Sequence, residues 1–576
     1  MALRQRVFQS HIQTNQQFSI SDVVMLLIII TILAIGMEAA LSSPEIISGP
    51  DIRLNLTALP LYSLLSIGRM FFAYVLSLIF SIVYGYAAAQ SKTTERWLLP
   101  LLDILQSVPI LSFLPVVLLS LTAILPQRIA IELAAIILIF TSQTWNLTFS
   151  FYQSMTTLPN ELREAAAIFR FSRWLRFRIV ELPFAALGLI WNSVMSWAGG
   201  WFFLMAAEIF TLGNRDFRLP GLGSYLSTAA NKGDTSALIY GILSLVAIII
   251  LLDQLVWQPL LAWAERFKVS QVEEEHPTTS WFLNGLRRSG FAYWLREHFF
   301  SPLFRRIDQR LNQQPHYIAS LETENTAKPS ALRYIFLSIL MLGIGYGIVQ
   351  AIDLIASLSP DDWLNIAIGA LATFIRVTIA VTIALIWTIP VGVIIGTKPR
   401  IAAILQPIVQ IVASIPATAL FPILLLGLID LPTGPNIAAI LLMLLGTQWY
   451  LLFNVIAGAS AIPQDLQYTT DIMGLHGWRR WRTLILPALF PYIITGLITS
   501  SGGAWNASIV AEYTHFGGQT SKVVGLGAVI TESTEVGNYP LLLASTLTMI
   551  ILVVIINRIV WRRLYRLAEE QYRLDQ

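Results

Sequence analysis

Two glutamates stand inside long apolar segments of this 576-residue chain, and each follows a tryptophan by seven positions. The pairs are Trp201 with Glu208 and Trp505 with Glu512. Seven residues make about two turns of an α-helix, so the ring and the carboxylate of each pair share one helix face. Because an acid inside an apolar span usually faces other protein or an aqueous cavity, we expect these four residues, with Asn506, to line or gate a pathway. A structural hydrogen bond for each acid, and an aromatic belt for the rings, are the alternatives.

Patterns for catalysis and metal binding are missing from the sequence. It has no cysteine, its six histidines show no ligand spacing, and no serine lies in a Gly-x-Ser-x-Gly turn. None of its lysines follows a glycine, as the phosphate-binding loop of an ATPase requires. We therefore predict no catalytic residue, no metal site and no cofactor bound by this chain. Any ATP and Mg²⁺ would be held by a separate subunit.

The elements that carry these residues are predicted to be membrane-spanning helices. Hydrophobic residues make up 55% of the chain and charged residues only 12%, and apolar windows of about 20 residues recur along it. The predicted fold class is an all-α polytopic membrane protein, embedded in lipid, with about twelve spans. These lie at residues 21–41, 61–90, 98–121, 129–150, 180–212, 237–262, 333–357, 363–396, 401–429, 436–456, 484–513 and 539–561.

The spans form two sets that repeat one another. Arg69 corresponds to Arg376 and Pro109 to Pro416 at an offset of 307, and beyond a short gap the offset becomes 304. Each set has an even number of spans, so the halves share one orientation, and a pathway between them follows. The predicted divisions are an N-terminal segment with the first helix (1–59), a first repeat (60–263), a linker (264–332), and a second repeat with its own leading helix and basic tail (333–576).

Clusters of arginine and lysine predict the orientation of the chain. Basic residues concentrate before the first span, in every second loop and after the last span, so both termini and the linker are expected in the cytoplasm. Arg69 and Arg376 open the second spans from the opposite side, and we expect them to snorkel towards water. The formal charge of +3 is modest, and no nucleic-acid partner is predicted.

Prolines in the third span of each half predict kinked helices. Pro109 and Pro416 occupy equivalent positions. A proline removes a backbone donor, and irregular backbone at membrane depth is tolerated where it is buried in protein or lines a cavity. Pro109 and Pro416 are therefore further pathway candidates, with a simple packing kink as the alternative.

A polar loop between the fourth and fifth spans of each half predicts a short helix. In the first loop, one face carries three residues at positions i, i+4 and i+7, and the second loop repeats that face. The residues are Leu162, Ala166 and Phe169, and Leu466, Thr470 and Met473. A narrow apolar stripe on a short helix fits the groove of a partner protein. An ordinary interfacial helix is the alternative.

The first loop also resembles a family motif. Glu164-Ala165-Ala166, a gap of thirteen residues and then Val180-x-Leu182-Pro183 resemble the Glu-Ala-Ala loop of binding-protein-dependent ABC importer permeases. The second loop keeps Gly474 and Leu486-Pro487 but has Tyr468-Thr469-Thr470 in place of Glu-Ala-Ala. The first loop has Arg170 where the family has glycine.

The resemblance implies two type I importer permease units fused in tandem, most similar to the nitrate, sulfonate and taurine group. It implies one cytoplasmic ATPase protomer under each loop, an extracytoplasmic solute-binding protein and a prokaryotic inner membrane. The implied solute is a small anion such as nitrate, a sulfonate or bicarbonate, moved inward by alternating access. With Glu164 paired to a cation on its ATPase, the two loops are expected to couple unequally. An ion-coupled secondary transporter and a non-transport membrane scaffold are the alternatives.

Overall fold

The computed structural model is almost entirely helical over the residues it describes, which are 20–40, 43–44, 47–212, 215–267, 280–288, 297–298, 302, 306, 308, 331–428, 431–462, 464–516 and 519–571. The predicted all-α class is therefore confirmed. The first half contains α1 (Ile20–Ala40), α2 (Leu59–Ala89), α3 (Lys92–Ser107), α4 (Ile110–Ile124), α5 (Gln127–Thr156), α6 (Asn160–Ile168), α7 (Arg173–Arg176), α8 (Leu182–Glu208), α9 (Leu222–Asn231), α10 (Thr235–Leu252) and α11 (Gln258–Ala264).

A short helix from the predicted linker, α12 (Trp281–Arg288), precedes the second half. That half contains α13 (Ala331–Ala356), α14 (Pro360–Thr397), α15 (Pro399–Ser414), α16 (Ala417–Leu428), α17 (Gly434–Ser460), α18 (Gln464–Ile472), α19 (Trp478–Arg480), α20 (Leu486–Glu512), α21 (Leu526–Val536), α22 (Tyr539–Ile556) and α23 (Arg562–Gln571). Most of the predicted linker, and residues 1–19 of the N-terminal segment, lie outside the described residues.

Two small antiparallel hairpins follow the fifth helix of each half. They are β1 (Thr211–Leu212) with β2 (Arg215–Asp216), and β3 (Tyr513–Phe516) with β4 (Gln519–Lys522). The repeat extends to irregular turns of helix, because π-helical turns at Phe177–Glu181 and Asp253–Trp257 recur at Trp481–Ile485 and Asn557–Trp561. Such turns insert a residue into a helix without ending it.

Eight helical segments of the described chain are long and apolar enough to cross a membrane, by length and composition. They are the second, fourth, fifth and sixth predicted spans of each half: Leu56–Ala89, Gln127–Thr156, Arg173–Glu208, Thr235–Ala264, Pro360–Thr397, Gly434–Ser460, Trp478–Glu512 and Tyr539–Ala568. The first and third predicted spans of each half contain shorter apolar helices.

The third span of each half is two helices rather than one kinked helix. Val108 and Pro109 are extended between α3 and α4, and Ile415 is extended before Pro416 between α15 and α16. Proline has no N–H to continue the helix and pushes the residue before it out of the helical region. The predicted kink is therefore wrong, and each half contains a complete break that starts a new helix inside the protein.

The two halves pack through these broken helices. α4 of the first half contacts α20 and α21 of the second, and α16 of the second half contacts α8 and α9 of the first. One apolar core therefore includes buried residues of both halves, among them Leu111, Leu114, Leu526 and Ile530. The contacts follow the repeat, so the start of each broken helix lies at the boundary between the halves.

Candidate functional site

A buried ion pair holds the fifth helix of the first half to the second helix. The carboxylate of Glu208 is fully buried and accepts hydrogen bonds from Arg69 Nη1 at 2.8 Å, Ser66 Oγ at 2.6 Å and Gly223 N at 2.7 Å. Arg69 also donates from Nε and Nη2 to the half-exposed carboxylate of Glu132, at 2.7 Å each. The charge of Glu208 is thus neutralised and its oxygens are satisfied within one half.

The second half repeats this ion pair with one difference. Glu512 accepts from Arg376 Nη1 at 2.8 Å, Thr373 Oγ1 at 2.7 Å and Gly527 N at 2.8 Å. The other donors of Arg376 reach Asn436 Oδ1, at 2.9 Å from Nη2, instead of a second carboxylate. Arg376 therefore has one charged partner where Arg69 has two.

These pairs correct the prediction that Arg69 and Arg376 snorkel to water. Both side chains are buried. Each guanidinium compensates a fully buried carboxylate, which would otherwise be an unpaired charge in the interior. The Gly-Leu-Gly sequences are explained as well, since a Cβ at Gly221 or Gly525 would lie 2.2 or 2.1 Å from a carboxylate oxygen of Glu208 or Glu512. The repeated Arg and Glu positions in both halves were a signal in the sequence for this pairing.

Two cavities of about 60 Å³ each lie between the halves. The tyrosine cavity is bounded by Gly199 and Phe202 of α8, Pro416 before α16, Tyr450 of α17 and Gly503 of α20. Among the described residues, no charged side chain lines it.

The threonine cavity follows along the same helices. It is bounded by Met205 of α8 and Ile209 just after that helix, Thr418 and Phe421 of α16, and Val510 of α20. The two cavities therefore succeed one another along α8, α16 and α20, and the first turn of α16 separates them. No charged side chain of the described chain lines this second cavity either.

Neither predicted tryptophan lines these cavities. Trp201 is 1% exposed and packs in the core of the first half with Met70 and Tyr225, and Trp505 is equally buried in the core that both halves share. Phe202, which follows Trp201, and Gly503, two residues before Trp505, line the tyrosine cavity instead. The placement of the two rings on the pathway is not supported by this geometry, since each residue along a helix turns the side chain by about 100°.

Asn506 ties the broken helix of one half to the other half. Its Oδ1 accepts hydrogen bonds from the backbone N–H groups of Ile110 and of Leu111, the latter at 3.4 Å, at the start of α4. Pro109, immediately before that helix, is the N-cap residue and supplies no side-chain cap. Asn506 therefore acts as an N-cap provided by the other half. Its equivalent in the first half is Phe202, which cannot accept a hydrogen bond.

The two loop helices present a different face from the predicted one. Ala166 of α6 and Thr470 of α18 are buried against the permease itself, at 3% and 8% exposure. The apolar pairs that protrude are Ile168 and Phe169, 78% and 71% exposed, and their equivalents Ile472 and Met473, 86% and 68% exposed. The inclusion of Ala166 and Thr470 in the outward face is therefore wrong. In each loop helix the face that carries Ala166 or Thr470 packs against the permease itself.

The other predicted loop residues differ in exposure and in their position relative to the helix ends. Glu164 is exposed, Ala165, Leu162 and Leu182 are half-buried, and Leu466 is exposed. Leu182-Pro183 and Leu486-Pro487 begin α8 and α20, where a proline in the first turn costs no hydrogen bond. Arg170 has φ of 50° and its equivalent Gly474 has φ of 66°, so the same left-handed C-terminal turn closes both loop helices.

A contact that the sequence did not indicate ties the linker to the first loop. Trp174 Nε1 donates to Asp308 Oδ1 at 2.9 Å, and Arg178 forms an ion pair with the same carboxylate. Burial raises the pKa of the Asp308 carboxyl, but hydrogen bonds from Arg178 and Trp174 outweigh it, so that pKa lies below its ordinary value. In the second half, the equivalent Trp478 is 72% exposed.

In the described part of the chain, no cluster of three or more histidine, aspartate or glutamate side chains could hold a metal ion.

These features define a multi-pass membrane protein built from two repeated helical halves with cavities between them. Residues 78–256 and 388–570 match the family described as binding-protein-dependent transport system inner membrane component. The two matches cover more than half of the sequence, and the chain belongs to this family.

Characterised relatives resemble part of the chain. It is 31% identical over 163 residues to a bicarbonate transport system permease protein of Synechocystis, covering 28% of this chain and 55% of the relative. It is 30% identical over 148 residues to a nitrate import permease protein of Synechocystis, covering 26% and 52%. It is 27% identical over 141 residues to a taurine transport system permease protein of Escherichia coli, covering 24% and 50%. The chain spans about half the length of each of these relatives.

Proposed function

We propose that this chain is the permease subunit of an ATP-driven importer, and that a small anion passes between its halves by alternating access. The observation that carries the proposal is the repeated exposed pair at the end of each loop helix, Ile168–Phe169 and Ile472–Met473. Large apolar side chains exposed outside the spans favour a protein contact. Two equivalent contacts fit two equivalent ATPase protomers, which would supply ATP and Mg²⁺. This chain would then be a transport subunit and not an enzyme.

The solute path is proposed to run through the tyrosine and threonine cavities. Both lie between the halves, and a path between two units that move against each other can open at either end. The buried acids do not oppose an anion, because Glu208 and Glu512 are neutralised by Arg69 and Arg376. The same pairing disfavours a secondary transporter, which needs a carboxylate that can release its proton or cation.

The proposed solute class is a small oxyanion or organic anion. The relatives named above are a bicarbonate, a nitrate and a taurine permease. A volume of about 60 Å³ is room for a few waters or for an anion of about four heavy atoms. The basic residues of these loops favour α6 and α18 on the cytoplasmic side of a prokaryotic inner membrane, and a solute-binding protein would then dock at the opposite face.

The test uses the full chain, co-expressed with its ATPase and reconstituted in vesicles. We expect Ile168→Asp and Ile472→Asp each to lower co-purification of the ATPase and ATP-dependent uptake of nitrate or bicarbonate, because each buries a charge at a contact. The matched control is Val536→Asp, which is 78% exposed like Ile168 but lies at the opposite end of the second half. It should leave ATPase co-purification unchanged.

Two results would overturn the proposal. The first is uptake that follows an ion gradient and needs no ATP. The second is normal ATPase assembly in both loop variants, since the exposed pairs would then have no docking role.

A further inference from the structure

We propose that the first turn of α16 is an anion-binding site on the solute path. The inference rests on the proposed function and adds the place and the donors that hold the solute. It comes from a difference between the halves: the start of α4 is capped by a side chain from the opposite half, and no side chain of the described residues caps the start of α16.

The capped end shows what the helix start requires. The N–H groups of Ile110 and Leu111 point at one oxygen, Oδ1 of Asn506. The first N–H groups of a helix have no partner within the helix, and its dipole makes this end attractive to negative charge. An oxygen acceptor from the opposite half therefore occupies the place that an anion would take.

The uncapped end lacks this acceptor. Phe202 stands at the position equivalent to Asn506 and lines the tyrosine cavity beside Pro416 and Ala417. No side chain of the described residues accepts a hydrogen bond from the N–H of Ala417 or Thr418. Helix α16 has twelve residues, so its N-terminal dipole is developed.

A second, independent observation marks the same turn. Thr418 is 8% exposed, and its Oγ1 has no hydrogen-bond partner in the described structure. A buried hydroxyl without a partner costs free energy unless a ligand or water completes it. The side chain lines the threonine cavity, so the missing partner would lie in that cavity.

The site lies where the two cavities meet. Ala417 lines the tyrosine cavity, and Thr418 and Ala419 line the threonine cavity, so a solute that moves between them passes this turn. The groups offered are backbone N–H, the Thr418 hydroxyl and the Tyr450 hydroxyl of the tyrosine cavity. Donors without a carboxylate suit an oxyanion and not a cation.

The test measures uptake of nitrate and bicarbonate by the complete transporter in vesicles. Phe202→Asn places a carboxamide where Asn506 stands in the other half, so it should occupy the N–H groups of α16. Thr418→Val removes the hydroxyl at nearly constant shape. We expect each to raise the anion concentration for half-maximal uptake by about tenfold or more, as for the loss of one hydrogen bond to a charged group.

Two matched controls separate the site from general damage. Phe202→Leu removes the ring without adding an acceptor. Thr546→Val removes another buried hydroxyl without a partner in the described residues, on α22 and away from both cavities. Thr546→Val should keep the half-maximal concentration within about twofold, and Phe202→Leu, which alters the lining of the path, sets the baseline that Phe202→Asn must exceed. If Phe202→Asn and Thr418→Val match their controls, the site is refuted.

A binding measurement separates failure of the site from failure of the transport function. The thermal midpoint of the purified full chain is measured with nitrate, with bicarbonate and without either. If the unaltered transporter shows no ATP-driven uptake, the proposed function fails. A thermal shift with either anion that Thr418→Val abolishes and Thr546→Val retains still supports the site. An absent shift, or a shift equal in both variants, overturns it.

Discussion

Removal of Glu512 should destabilise the protein more than removal of Glu208, although the two residues are equivalent by sequence. Glu512→Ala leaves the buried guanidinium of Arg376 with the uncharged Asn436 as its remaining side-chain partner. Glu208→Ala leaves Arg69 with the carboxylate of Glu132, at 2.7 Å from two of its nitrogens. The difference lies in one residue, Glu132 against Asn436.

The magnitudes follow from the cost of an unpaired buried charge. Loss of one partner from a buried pair costs about 3–5 kcal/mol, and we assign that range to Glu512→Ala. In Glu208→Ala the carboxylate of Glu132 still compensates part of the charge of Arg69. Glu132 is 41% exposed, so solvent weakens its attraction to Arg69. We therefore expect Glu208→Ala to cost about 1–2 kcal/mol less than Glu512→Ala. Glu512→Gln should be milder than Glu512→Ala, because the amide oxygen can still accept from Gly527 N.

The assay is unfolding of the purified full chain in mixed detergent micelles, read as the free energy of unfolding. The control is the double variant Glu512→Ala with Arg376→Met, which replaces the pair by apolar groups and should recover most of the loss. The reasoning is refuted if Glu208→Ala costs as much as Glu512→Ala. It is equally refuted if the double variant is no more stable than Glu512→Ala.

Three further predictions concern the loops. Arg170→Gly should stabilise the first loop by about 1 kcal/mol, because φ of 50° is unfavourable for a residue with a Cβ. Slower amide hydrogen exchange in that loop would confirm the prediction, and faster exchange would contradict it. Ala166→Asp should destabilise the loop itself, since the side chain is buried against the permease, and unchanged exchange would contradict that burial. Arg178→Ala should increase proteolysis within 264–332, while the equivalent Arg482→Ala should not, and equal cleavage would count against the contact with Asp308. Because the pKa of Asp308 is lowered, this contact is complete above the ordinary carboxyl pKa and is lost as the pH falls through the lowered value, so neutral and mildly acidic samples should resist cleavage alike.

Local patterns were sufficient for the class of protein and for the repeat. The hydropathy of a window of about 20 residues depends on that window alone, and the offsets of 307 and 304 are visible wherever the same residue types recur. The same holds for the loop motif at Glu164–Pro183 and for the positions, Pro109 and Pro416, at which the third span of each half is irregular. The completeness of those breaks was missed because a proline in an apolar span is compatible with either a kink or an end.

Side-chain partners and faces were decided by the tertiary structure. Arg69 and Glu208 are 139 residues apart in sequence, and Asn506 and Ile110 are 396 apart, so neither contact leaves a trace in any short window. Which face of α6 is buried depends on how the loop folds back onto its half, and the sequence pattern shows a stripe without saying what covers it. The sequence determined the elements because hydropathy and backbone preference are properties of neighbouring residues. The tertiary structure decided the ion pairs, the helix cap and the cavities because these depend on how distant helices are placed against each other.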